Sequence, residues 1–206
     1  MGNILTHSLS EAEIKILDAA KKIFIEKGFD GASMQDIATE AGINKALLHY
    51  YFRKKEYLFQ AIFKQALSNF IPNVMQLMTS NEPFVIKLKL FLNNYIDLLT
   101  QHPHIPIFIL HELSRRPENL VVLIKSMGLN PTILISIFEK EIKEAGGEYY
   151  PPIHLIINTI AMCIFPFAAK PIISSFIFNQ NEEEYQKFIS ERKQLVYDFI
   201  IKALKL

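Results

Sequence analysis

Residues 33–58, SMQDIATEAGINKALLHYYFRKKEYL, decide how this chain is read. They spell a short helix, a glycine turn, a second short helix, and then aromatic and basic residues. A helix-turn-helix needs that order to lay one helix in the major groove of DNA while its neighbour braces it. The reading turns on Gly42. A bend there sends Ile37, Ala41, Ile43, Leu48 and Tyr51 inward, and Ala38 is small enough for the two helices to cross closely. Glycine suits the bend because it accepts a positive φ without a Cβ clash. Seven positions around the corner fit together, which sets it apart from an arbitrary helical bend.

The segment before it fits a stabilising first helix. Ser10 and Glu13 form a capping box, and Ile16, Ala19, Ala20, Ile23 and Phe24 make one apolar stripe. Gly28 is expected to end this helix, with Phe29 folding back onto its last turn. Ser33 is the next N-cap, with Asp36 at the third helical position. Asn44 caps the recognition helix, leaving Lys45, Ala46, Leu47, His49 and Tyr50 for its exposed face.

From Ile14 through Leu58 the chain resembles the DNA-binding domain of the tetracycline-repressor (TetR-like) family of bacterial transcription regulators. The resemblance is carried by KGF at Lys27–Phe29, SMQDIA at Ser33–Ala38, AGINK at Ala41–Lys45 and YYFRKKEYL at Tyr50–Leu58. It implies an all-α fold, with an N-terminal three-helix helix-turn-helix DNA-binding domain over 1–56. A C-terminal helical ligand-binding and dimerisation domain would follow over 57–206. It further implies a homodimeric repressor, released from a palindromic double-stranded operator by a small-molecule effector.

Carried onto matching positions, the resemblance has Gln35 reach a base edge or phosphate, and Ser33 touch a phosphate while capping its helix. Asn44 and Lys45 would open the recognition helix near bases or backbone. His49 and Tyr50 would press on the opposite phosphate strand, and Lys55 would clamp a phosphate. Two departures stand out: Ala46-Leu47 replaces a frequent Gly-Thr, and His49-Tyr50 replaces a frequent Tyr-His. Leu47 cannot donate a hydrogen bond, so it either meets a thymine methyl or packs inside.

Charge supports this only locally. Residues 1–60 hold eight basic and eight acidic side chains, yet 45–55 hold four positives and no negative. Over all 206 residues the net charge is +1 and half the residues are hydrophobic. That apolar surplus fits a dimer burying a large face. The single cysteine, Cys163, excludes a disulfide framework and fits a reducing cytoplasm, as a core residue or, more sharply, as a redox sensor. No secretory signal is apparent, and the Met1-Gly2…Thr6 match to a myristoylation pattern is read as chance. The apolar run 153–169 is broken by His154, Asn158 and Pro166, so it reads as a buried interface helix and not as a membrane span.

Proline and glycine divide the second half. One helix runs from about Lys55 to Met78, and Pro72 should kink or split it. Others run from Asn81-Glu82-Pro83 to Gln101, from Pro106 to Arg116, onward to Gly128, from Pro131 to Ala145, from Pro152 through the apolar run, and from Glu182 to Lys205. By resemblance the last two pair with their mates in a four-helix interface. Tyr95, Phe108, His111, Glu112, Met127, Asn158, Met162 and Phe165 are the candidate pocket residues. Mostly apolar walls with a few polar groups suit a small-molecule site, while aromatic and Met stripes are also ordinary core. Glu112 either receives a cationic ligand or pairs with Arg115 or Arg116. The histidines lack metal-ligand spacing, and no nucleophile elbow, phosphate loop or paired carboxylates occur. No catalytic residue, metal or cofactor is therefore expected.

Overall fold

The computed structural model describes residues 10–115 and 117–206. The myristoylation pattern and Arg116 lie outside the described residues. Among those described there are twelve helices and no strand: α1 Glu11–Gly31, α2 Met34–Glu40, α3 Lys45–Tyr51, α4 Lys55–Leu67, α5 Phe70–Met78, α6 Phe84–Gln101, α7 His104–Arg115, α8 Pro117–Ser126, α9 Pro131–Glu144, α10 Pro152–Ala168, α11 Lys170–Phe176 and α12 Glu182–Leu204. They fall into two compact units, Met1–Gln65 and Ala66–Leu206.

In the first unit, Ser10 and Glu13 cap α1 reciprocally. Gly28 interrupts the helix at φ 69°, and one further turn follows before Ala32 donates back to the Gly28 carbonyl. The break lets Phe29 stack on Phe24 at 5.7 Å between ring centres, and Phe59 closes on both at 4.7 and 4.8 Å. Leu58, Phe59, Ile62 and Phe63 of α4 are all buried, so the start of α4 belongs to the core of this unit.

In the second unit α6 is the spine, buried along Leu88, Leu92, Tyr95, Ile96 and Leu99, with α5, α10 and α12 packed on it. The expected split at Pro72 falls one turn earlier, between Leu67 and Phe70. Proline at 72 carries no N–H and its ring crowds the preceding turn, which ends α4 there. Beside α5, Val74, Met78 and Leu134 form a core with Phe70, Phe91 and Phe138 around it. A charge sits against that core: Lys87 is 2 % exposed, and its Nζ donates to the Met78 carbonyl at 3.0 Å and to Glu141 Oε1 at 2.5 Å. This one ammonium ties the end of α5 to α6 and α9.

Helix α10 differs from the expected uniformly buried helix. Leu155, Thr159, Cys163 and Pro166 are buried, while Ile153, Ile157, Ile160 and Phe165 face out. Pro166 lacks an N–H, which leaves the Met162 carbonyl without its helical partner. Arg192 of α12 supplies one, donating from Nη2 at 2.6 Å. Pro171 opens α11, bent 64° from α10, in a stretch where the sequence reading placed no helix. No single helix among the described residues is long and apolar enough to cross a membrane.

Candidate nucleic-acid interface

The corner around Gly42 is built from local bonds. The Gly42 amide donates to the Thr39 carbonyl at 3.1 Å and the Ile43 amide to the Ala38 carbonyl at 3.0 Å. That pair of bonds is a Schellman turn, and Gly42 takes the left-handed position it requires, at φ 66°. A Cβ at Gly42 would meet nothing within 4 Å, so only the backbone conformation demands glycine. Below the corner Ile37, Ala38 and Leu48 are fully buried, with Ala41, Ile43 and Tyr51 half-buried beside them.

Both short helices are capped as their sequences require. Ser33 Oγ accepts from the Asp36 amide at 3.1 Å, and the Asp36 carboxylate accepts from the Ser33 amide at 3.0 Å. Lys27 Nζ donates to the same carboxylate at 2.7 Å and, with Ser33, lowers its pKa to about 2. Asn44 Oδ1 accepts from the Leu47 amide at 2.7 Å. With Leu48 turned in, Lys45, Ala46, Leu47, His49 and Tyr50 are all exposed, Tyr50 to 79 %. Leu47 is thus outside the core. Gln35 is exposed on α2, and its Nε2 donates to Thr39 Oγ1 at 3.4 Å. Thr39, which the sequence analysis does not single out, lies one turn after Gln35 on the same helix face.

Lys55, the expected phosphate clamp, is engaged within the head. Its Nζ donates to the carbonyls of Phe29 at 2.7 Å, Ala32 at 3.1 Å and Asp30 at 3.3 Å, and lies 4.5 Å from the centre of the Phe29 ring. An ammonium has three protons, and all three are committed to the turn after α1. Lys55→Ala is therefore expected to lower the stability of the DNA-binding head by about 2 kcal/mol, the scale for hydrogen bonds to a charged group. Denaturant unfolding followed by a probe in the head measures this; an unchanged midpoint would show the carbonyl bonds to be idle.

The candidate pocket residues separate into two groups. Tyr95 is buried against the rings of Phe70 and Phe91, each 5.6 Å away, and burial pushes its phenol above the usual range. Phe108 and Glu112 are also buried, and His111 Nδ1 lies 3.5 Å from Glu112 Oε1. Met127 and Met162 are half-buried. Asn158 and Phe165 depart from the expectation of pocket walls: Asn158 is exposed and donates to the Tyr150 hydroxyl at 3.2 Å, and Phe165 is 64 % exposed. Apolar residues occupy both faces of α10, so its rotation could not be read from hydrophobicity alone. A surface cleft at the α8–α9 junction is lined by Lys125, Gly128, Leu129, Asn130, Pro131 and Thr132, none of them a candidate.

A three-helix head with one short helix braced and its neighbour's outer face bare defines a helix-turn-helix DNA-binding protein. Residues 16–62 match the family model described as bacterial regulatory proteins, tetR family. A structure of a mutant of HlyIIR, a hemolysin II transcriptional regulator, is 30 % identical, covering 79 % of this chain and 89 % of that one at a TM-score of 0.61. The FadR transcriptional regulator of Bacillus subtilis, solved with stearoyl-CoA, shares the fold at 19 % identity and TM-score 0.64, covering 89 % of this chain and 97 % of that one. Among curated relatives, the fatty acid metabolism regulator protein of Bacillus subtilis is 26 % identical over 52 % of this chain and 54 % of its own length. The biofilm operon negative transcriptional regulator IcaR of Staphylococcus epidermidis is 37 % identical over 28 % of this chain and 31 % of its own. The chain thus spans about half or less of these two relatives. It belongs to the TetR family of bacterial transcriptional regulators.

Proposed function

We propose that this regulator is a cytoplasmic homodimeric repressor that grips a palindromic operator and is released from it by a small molecule. The observation that carries the proposal is the bare outer face of α3, presented over a fully buried Leu48. On this reading residues 1–56 hold the DNA: Gln35, Lys45, Ala46, Leu47, His49 and Tyr50 face it, with Ser33 and Asn44 at the two helix N-termini. Lys55 supports this face from behind. IcaR, named a negative regulator, supports repression.

Residues 57–206 would pair the subunits and hold the effector. Ile153, Ile157, Ile160 and Phe165 of α10 and Leu195 and Phe199 of α12 are exposed apolar side chains, as a helical interface with a second copy requires. Tyr95, Phe108, His111, Glu112 and Met162 supply apolar walls with a few polar groups for an effector, with Met127 an outlying candidate. The FadR structure with stearoyl-CoA supports a small-molecule ligand in a protein of this fold. Such a ligand releases DNA only by binding the DNA-incompetent state more tightly.

Selection from a random duplex pool tests the head. The expected result is an inverted repeat whose half-sites lie about 34–36 Å apart or at a related spacing. Failure to enrich any sequence would remove the repressor reading. A small molecule that binds tightly yet leaves affinity for the enriched duplex unchanged would remove the inducer step alone.

A further inference from the structure

His49 stands in the last turn of α3, exposed, with Nδ1 3.2 Å from the Arg53 carbonyl oxygen. A carbonyl oxygen only accepts, so Nδ1 carries the hydrogen. In the neutral ring Nε2 is then a bare acceptor. A phosphate oxygen is an acceptor too, and the two repel. One proton on Nε2 reverses this, making the ring a cation and a double donor. We propose that His49 meets the operator backbone as an imidazolium, so each head takes up a proton on closing over DNA and operator affinity falls as pH rises. This rests on the DNA-binding reading above.

The charged groups around His49 are mostly cations or acids already engaged. Lys45 lies one turn earlier on α3, and Arg53 and Lys54 follow in the exposed turn before α4. These cations share with His49 the surface that would meet phosphates. The carboxylates of α2 are already engaged, Asp36 by Lys27 and Ser33, and Glu40 by Lys22 of α1 at 2.7 Å. On α4, Lys55 is held by the carbonyls of residues 29, 30 and 32, leaving Glu56 as the acid of its first turn. The C-terminal end of α3 gives modest support to the cation. Imidazole is the side chain whose charge ordinarily changes between pH 5 and 8, which sets the range over which the linkage is sought.

The test measures the affinity of the intact protein for a duplex it has itself enriched from a random pool, at fixed ionic strength from pH 6 to 8. Wild type is expected to lose at least about tenfold in affinity across that range, the limit being about tenfold per pH unit for each proton taken up. His49→Gln donates from an amide that does not titrate, and should change by less than about twofold. A flat wild-type profile with tight binding overturns the proposal and leaves the DNA reading intact. An unaltered slope in His49→Gln overturns it as well, assigning the proton elsewhere. If no duplex is enriched at any pH, both readings fall together. Ring nitrogen chemical shifts of the free wild-type protein provide a measurement independent of any variant: the hydrogen must reside on Nδ1, and a ring protonated at Nε2 alone overturns the proposal.

Discussion

Phe165→Asp combined with Phe199→Asp is expected to turn the proposed dimer into monomers, raising its dissociation constant roughly a thousandfold. Each aromatic anchor buried at the centre of an interface is worth on the order of 2 kcal/mol or more, and the two substitutions remove one from each helix of the pair. Both side chains are more than 60 % exposed in the single subunit. The substitutions therefore leave the monomer's core untouched, and helical content should be unchanged. Sedimentation velocity reads the assembly, and affinity for an enriched operator should collapse with it, because two linked heads bind far more tightly than one. A double variant that stays dimeric at wild-type strength would refute the α10–α12 interface while leaving the head's role open.

The second large effect concerns the buried lysine. Lys87→Met should destabilise the second unit by about 3 kcal/mol, since removing one partner of a buried ion pair strands the other. Glu141 is the partner at risk: its Oε2 is buried with no hydrogen-bond partner among the described residues, so its charge relies on Lys87 through Oε1. Adding Glu141→Leu should restore most of the loss, because an apolar pair of similar volume suits the neighbouring core of Val74, Met78 and Leu134. Urea unfolding of the single and double variants checks both. If the double variant is no more stable than Lys87→Met alone, the cost comes from packing and the ion-pair account is wrong.

The corner at Gly42 was legible because everything that makes it is local. Ser33, Asn44 and Gly42 each act on backbone groups within three residues or through their own φ, and a linear sequence records such relations directly. The partners of Lys55 within the head were hidden for the opposite reason. They lie 23 to 26 residues earlier, and only the return of the chain after α1 brings those carbonyls to it. Helix α11 escaped because the apolar run closes at Ala169, and Pro171, its one start signal, lies just beyond that run. The rotation of α10 was unreadable because isoleucines line its exposed face while Leu155 and Cys163 line the buried one. Asn158 and Phe165 were therefore placed with Tyr95 and Phe108 when they point elsewhere. The alternative pairing of Glu112 with Arg116 lies outside the described residues.

Cys163 is buried against α6 and α12, and burial pushes its thiol up to about 12. Closed inside its own subunit, that thiol offers no covalent bridge between copies. Two subunits joined through α10 and α12, as proposed, would then be governed by mass action alone, free to part on dilution and to meet again. Where the protein is scarce enough to be mostly monomeric, dimer abundance grows with the square of its concentration. A modest rise in copy number would then produce a disproportionate rise in operator occupancy, a threshold that requires no contact beyond the two exposed helical faces.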